Sequence, residues 1–308
     1  VLRRGTDAVR FGALPGHAVE AAGLSPPLRR LLLELHGSWP VAALLDRAVA
    51  LGAEEHEARA VLAELHRAGA LVDGGHRQRC AAARRRALVL VQGSGALLAA
   101  VAVGLARGGV ELLNLLTEGI VPVDEVGVLP ATDHGRTRLA SAREAVRRVA
   151  PTARVRAGRP HAPPTLVVLA DVDPAAAEHP ALPDLPHLVV RLVDGVGVVG
   201  PLVLPGSSPC RRCLDLHRAD HDPGWPAVAA GLAGRPGTAS PATAVATAAL
   251  AAEQALSALD ALAGLGTPPR VVGTELVVDL CGATISSRRW SPHPRCACRA
   301  ALRPAPSR

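Results

Sequence analysis

Two pairs of cysteines, Cys210-x-x-Cys213 and Cys296-x-Cys298, constrain this chain more than any other feature. Thiolates two or three positions apart reach one ion from a single tight turn, and two such pairs complete a tetrahedral shell of sulfurs. The pairs are far apart in sequence, so one shared ion ties the end of the chain to its middle. A four-thiolate shell leaves no coordination position for water or substrate. The site therefore reads as structural zinc, with Cys210, Cys213, Cys296 and Cys298 as its ligands. A disulfide and unrelated thiols are the competing explanations. Pro209 and Pro294 brace the two turns, and Arg211, Arg212, Arg295 and Arg299 stand beside the sulfurs. Their charge offsets the roughly −2 of a zinc tetrathiolate. His217, His221 and His293 are nearby substitute ligands. Cys80 and Cys281 have no partner at metal spacing and are expected as apolar fillers. Free thiols beside a metal site suit a reducing compartment.

At 308 residues the chain is long enough for two domains, each with its own core. All 34 basic residues are arginine, and no lysine, methionine or tyrosine occurs. A net charge of +7 can attract nucleic acid or acidic peptides. Here it accompanies a composition dominated by Ala, Arg, Gly, Pro, Leu and Val, which carries no functional message of its own. The first residues alternate charge and glycine, unlike a secretory signal. The apolar run Ala96 to Ala106 is too short for a membrane span, and Glu253, Gln254 and Asp260 interrupt the alanine-rich stretch from Ala239 to Ala263. A soluble cytoplasmic protein, outside the membrane, is expected. No internal repeat is visible.

Residues 1–76 read as a small winged-helix module. Segments 7–12 and 17–22 flank a Leu-Pro-Gly turn, as two short strands would. Ser25 before Pro26-Pro27 starts a helix carrying Leu28, Leu31, Leu32 and Leu35. Helices follow over 41–50 and 54–68, with Ala58, Val61, Leu62 and Leu65 as the last one's apolar stripe, and 69–72 reads as a closing strand. Trp39 is expected to plug the core. A winged helix often binds DNA, but this third helix carries Glu54, Glu55, Glu57 and Glu64 against Arg59 and Arg67, which repels phosphates. No nucleic-acid partner is expected. Residues 77–86, rich in arginine, read as a linker.

Residues 87–308 alternate strands and helices, the pattern of a doubly wound α/β (Rossmann-type) domain. Ala87 to Val91 is a continuous apolar run, as in a strand buried on both faces. Gly93-Ser94-Gly95 then opens a helix, the start of a phosphate-binding turn. Leu98 stands where the third glycine of the dinucleotide fingerprint belongs, so the motif is weak. Glu118 falls where an acidic ribose ligand is expected. A nicotinamide dehydrogenase fits poorly with this loop and a closed metal site.

The block from Gly200 to Arg218, with Asp222-Pro-Gly-Trp-Pro226 and Trp290-Ser-Pro-His-Pro-Arg-Cys-Ala-Cys298, resembles the ThiF/E1-like family. Within it, the resemblance is to the cyclodehydratase-associated, leader-peptide-binding branch that serves azole- and azoline-containing ribosomal peptides. The likeness spans nearly the whole chain. It implies an E1-like accessory protein that binds the leader of a precursor peptide and presents the core to a YcaO-type cyclodehydratase, with a homodimer as the default state. Adenylating members of the family bind ATP and magnesium and form an acyl-adenylate. By that resemblance Gly93, Gly95, Glu118 and Arg136 are nucleotide-binding candidates, Arg138 lies in the same loop, and Asp171 matches the magnesium position. The family's lysine is missing, and the lone asparagine, Asn114, lies in a strand. Losing one such group costs several kcal/mol of transition-state stabilisation, and arginine does not reproduce the compact charge of lysine. The accessory role is therefore preferred to autonomous adenylation, with a DNA-binding regulator as a further alternative. Asp215, His217, Arg218, Asp220 and Asp222 form a polar cluster expected to be a solvated loop and helix start, and Trp225 an anchor between Pro223 and Pro226.

Overall fold

The computed structural model describes residues 1–4, 8–14, 16, 18–37, 39–71, 73–123, 128–172, 184–232 and 237–298. It divides into two compact units, Val1–Arg79 and Cys80–Arg308.

In the first unit, β1 (Leu2–Arg4), β2 (Ala8–Phe11) and β3 (Val19–Ala21) form an antiparallel sheet in that order. Three helices follow, α1 (Pro26–Leu33), α2 (Val41–Ala50) and α3 (Glu55–Arg67). Prolines in the first turn of α1 suit its start, where their missing N–H groups have no partner to lose. Its Leu28, Leu31 and Leu32 meet Val9, Phe11, Leu45, Ala48, Ala58, Leu62 and Leu65 in one core. Leu62 and Leu65 thus belong to the core, with Leu71 half-buried against it, and do not line an open groove.

Three expectations change here. Gly69 to Leu71 turn instead of forming a strand, because the Ala70 and Leu71 N–H groups donate back to the Leu65 carbonyl; Val72 lies outside the described residues. Trp39 is 37% exposed and stacks edge-on with His36, since it lies between α1 and α2 and so on no buried helical stripe. The expected linker is helical: α4 spans Gly74–Arg86, and Asp73 caps it by accepting from the Gly75 and His76 N–H groups at 2.9 and 3.1 Å.

The second unit is built on an eight-stranded sheet. Its strands are β4 (Leu88–Gly93), β5 (Leu112–Leu116), β6 (Arg154–Ala157), β7 (Leu166–Ala170), β8 (His187–Val193), β9 (Val196–Val203), β10 (Thr274–Asp279) and β11 (Thr284–Arg289). They lie in the order β11-β10-β9-β8-β7-β4-β5-β6. The block from β8 to β6 is parallel, and β9, β10 and β11 extend it antiparallel. Asp194-Gly195 closes the β8–β9 hairpin with both residues at positive φ, the backbone a tight hairpin turn requires. A doubly wound sheet reverses its winding where the first strand meets the fourth, and here that point lies between β4 and β7.

Helix α5 (Gly95–Arg107) and the long α9 (Pro241–Leu262) share the main core with the sheet. A Cβ on Gly104 would come within 2.7 Å of Ala252 Cβ, so glycine there permits the close approach of α5 and α9. Helix α9 is long and apolar enough to cross a membrane, but Ala244, Ala248, Ala251, Ala255 and Leu259 along it are buried in this core. Helix α6 (Arg138–Val149) adds Ala142, Ala145 and Val146 to the same core. Helices α7 (Arg211–His221) and α8 (Trp225–Leu232) follow β9 and lead to the first cysteine pair's surroundings.

Candidate functional site

Cys210 is the N-cap residue of α7, and Cys213 lies in its first turn, with its N–H donating to the Cys210 carbonyl at 3.0 Å. The second pair follows Trp290, and the Cys296 N–H donates to the His293 carbonyl. All four sulfurs lie within 4.8 Å of one another. Cys210 and Cys213 are 3.9 Å apart, Cys210 and Cys296 3.5 Å, and Cys213 and Cys298 3.2 Å. A tetrahedron with metal–sulfur bonds of about 2.3 Å has edges of about 3.8 Å, so the set fits one ion with little adjustment. All four are unpaired in this structure, and the separations of Cys210 from Cys213 and Cys296, and of Cys213 from Cys298, are all longer than a disulfide bond. Burial pushes the Cys210 and Cys298 thiols up, whereas at Cys296 hydrogen bonds from Cys298, Cys210 and Cys213 outweigh burial and hold it down. The positive end of α7 faces the sulfurs and favours their thiolate form. The cluster can hold a metal ion.

Leu214 and Trp290 wrap this cluster. The three histidines do not join it. His217 Nε2 meets the Ser291 carbonyl at 3.0 Å, and buried His293 sets Nε2 2.7 Å from Asp220. Asp220 also takes Arg295, while Arg218 donates to both oxygens of Glu275 at 2.7 and 2.9 Å. Asp222 accepts from the Gly224 N–H. In the polar cluster on and after α7, Asp215, Arg218 and Asp220 are therefore engaged in ion pairs, while His217 and Asp222 hold backbone groups. Cys80 is buried, but Cys281 is exposed because it falls in the turn between β10 and β11.

The second candidate is the crevice at the carboxyl ends of β5, β4 and β7. Gly93 ends β4 at φ +150°, and a Cβ there would lie 1.7 Å from the Ala170 carbonyl oxygen. Only glycine permits that approach. Ser94 donates its N–H to the same oxygen at 3.1 Å, and Gly95, at φ +68°, begins α5. Leu98 is fully buried against the core, where the missing third glycine would have been. On the other side of Gly93, Asp171 follows β7 at φ +52°. Its Oδ1 accepts the Leu192 N–H at 2.9 Å. Burial pushes the Asp171 carboxyl up to about 7, against that hydrogen bond and the nearby Arg191 charge.

Arg138 and Arg136 separate clearly. Buried Arg138 reaches the Glu118 carbonyl at 2.6 Å, beyond the end of β5. Arg136 is held by Asp133 and, at 2.8 Å, by Glu144, which raises its pKa. The Glu118 side chain is exposed, and Asn114 donates to the Gly158 carbonyl. Two further atoms were not read from the sequence: Gln92 Oε1 and Thr117 Oγ1, at the ends of β4 and β5, are buried with no partner among the described residues. Their only signal was position, one residue before Gly93 and one before Glu118. Unpaired buried polar atoms beside a glycine that admits no side chain fit a polar ligand such as a nucleotide.

No family profile and no curated protein matches the chain. Solved structures do. The microcin C7 biosynthetic enzyme MccB in complex with N-formylated MccA superposes with a TM-score of 0.68 at 15% identity, covering 94% of this chain and 96% of that one. E. coli MccB with ATP gives 0.67 at 14%, covering 95% and 99%. PaaA gives 0.62 at 14%, covering 92% and 96%. The chain shares the fold of these proteins over nearly its whole length.

Proposed function

We propose that this chain is a ThiF/E1-like, peptide-modifying adenylyltransferase that activates a carboxylate of a ribosomally made precursor peptide. The observation that carries the reading is Gly93, which admits no side chain at the end of β4, with Asp171 directly after the neighbouring β7 at the sheet's switch point; Arg138, reaching the Glu118 carbonyl beyond β5, supports it. Ligands of open α/β sheets bind outside the strand ends at such a point. Support also comes from MccB, a microcin C7 biosynthetic enzyme with the same fold, whose structures include ATP and MccA complexes.

In this reading the N-terminus of α5 and the Gly93–Gly95 backbone face the phosphates. Arg138 supplies the cation that lysine gives elsewhere, and Gln92 and Thr117 offer their unpaired atoms to the nucleotide. Asp171 would hold magnesium, whose charge would offset that of the phosphates. A peptide carboxylate oxygen attacks the α-phosphorus, the bond to the β-phosphate oxygen breaks, and pyrophosphate leaves. The four-cysteine cluster binds zinc, the ion such a thiolate set prefers, and has no open position for chemistry. The first unit binds the leader, adding it as a strand to an edge of its sheet.

A second reading has its own observation. Arg136 is neutralised by two carboxylates, and the Ser94 N–H is already spent on Ala170. An accessory protein that binds the precursor and hands it to a YcaO-type cyclodehydratase needs neither group. ATP–pyrophosphate exchange, with and without candidate precursor peptide, separates the two. Magnesium-dependent exchange that disappears in Asp171→Asn supports adenylation. Peptide binding without any exchange replaces it with the accessory role.

A further inference from the structure

Strand β8 reads His-Leu-Val-Val-Arg-Leu-Val, an apolar run with a single charge in its middle. That charge, Arg191, has a side chain only 13% exposed, and its Nε is buried without a partner. The nearest carboxylate is Glu275 on β10, 3.5 Å from Arg191 Nη2. Glu275 is already committed, however. It accepts twice from Arg218 and, at 3.0 Å, from the Trp290 indole N–H. Asp215 lies 3.7 Å from Arg218 and is 42% exposed, so water screens much of its charge.

Between β8 and α7 these groups line a small, partly open cavity of about 20 Å³, walled by Val189, Arg191, Arg211, Asp215, Arg218 and Glu275 among others. Space of that size admits one water-sized particle. Asp215 and Asp171 also draw on Arg191 from farther off, but Asp215 is exposed and burial raises Asp171 to about 7. Among the described residues Glu275 is thus the one buried carboxylate within ion-pair reach of both guanidiniums, and positive charge is in excess, which is costly when buried. Burial, then repulsion from Arg218, holds Arg191 below the ordinary guanidinium range, which reports the same imbalance. Water would meet the Nε donor but not the charge. An anion meets both.

We propose that this cavity is a binding site for a singly charged anion, held by Arg191 with Arg218 and taking either chloride or the carboxylate of a bound peptide. The site is separate from the four sulfurs and from the Gly93–Gly95 turn, and it stands whether or not the chain adenylates. It borders the crevice all the same. The Asp171 N–H donates to the Val190 carbonyl, the residue before Arg191. A peptide carboxylate entering here would end one strand away from the proposed magnesium ligand.

The test is chloride-35 NMR line broadening on the zinc-loaded full chain, titrated with sodium chloride and then with sodium formate. Saturable excess broadening that formate reverses, and that falls to the buffer value in Arg191→Met, is the expected result. Retained zinc shows that the variant is folded. If Arg191→Met does not fold, Arg191→Lys keeps the charge but removes Nε, and weaker chloride binding is expected. Triglycine and its C-terminal amide identify the source. Displacement of chloride by the acid alone marks a peptide carboxylate, and displacement by neither marks a free inorganic anion. No excess broadening, or broadening unchanged in the Arg191 variant, would overturn the site and leave the cavity to water.

Discussion

The four-sulfur cluster and the strand-end crevice are two sites in one unit, and they are finished to different degrees. At the cluster every ligand comes from the chain, within 4.8 Å of the others, and the surrounding charges pair among themselves. At the crevice Gly93 leaves room for no side chain, Gln92 and Thr117 hold unpaired buried atoms, and Asp171 sits in a strained backbone region with its carboxyl raised. A structural site satisfies itself. A working site keeps unsatisfied groups at a cost, which something outside the chain must relieve.

The largest effect should come from breaking the closed side. Cys213 is fully buried, and Cys213→Ser should lose the bound metal equivalent and lower Tm on the order of 10 °C or more, since structural zinc contributes its binding energy to folding. Metal analysis and calorimetric melting check this. Glu275→Gln comes next. It leaves Arg218 and Arg191 without their shared partner and should cost about 3–5 kcal/mol in urea unfolding. Zinc content should stay intact.

The crevice should respond in the opposite sense. Asp171 has its folded pKa raised from 3.8 to about 7, so the native state favours the protonated form. Its contribution is fully present below about pH 4 and is lost as pH rises through about 7, a span worth roughly 4 kcal/mol. Asp171→Asn keeps the acceptor for the Leu192 N–H and tolerates the left-handed backbone. The variant should therefore equal or exceed the parent in stability at pH 8, with the gap closing toward pH 4, while nucleotide chemistry disappears. Stability gained with activity lost would mark a group kept for function.

Much of the fold was legible because it rests on strong local signals. The cysteine spacing picked out the four sulfurs that the fold gathers within 4.8 Å, and the strand–Gly-x-Gly–helix pattern picked out the turn at the end of β4. What stayed hidden depended on partners distant in sequence. Residues 77–86 looked like a linker because arginines mask any apolar stripe, yet Arg84 pairs with Asp260 at 2.9 and 2.5 Å on α9. Strand β9 carries Gly200-Pro201 in its middle, which interrupts any strand pattern, yet both of its neighbours pair with it. Arg136 and Arg138 are two residues apart and indistinguishable by type. Only the fold turns one toward Asp133 and Glu144 and the other toward the strand ends. The lone Arg191 in an apolar strand was a signal that sequence offered and that only the cavity made meaningful.

That difference between the two arginines gives the smaller effects. Arg138→Ala should lower pyrophosphate exchange about 100-fold, the usual loss for one positioned donor. Arg136→Ala removes an exposed pair with Glu144 but also leaves the buried Asp133 carboxylate without its cation, so it should cost about 1–3 kcal/mol of stability, with exchange unaltered. Equal losses in both variants would erase the distinction drawn between them.

Calorimetric titration of magnesium–ATP into the zinc-loaded protein, beside Asp171→Asn at the same zinc content, addresses the crevice directly. Saturable binding by the parent and none by the variant is the predicted result. An absence of binding by a fully zinc-loaded, folded parent would contradict an adenylating crevice.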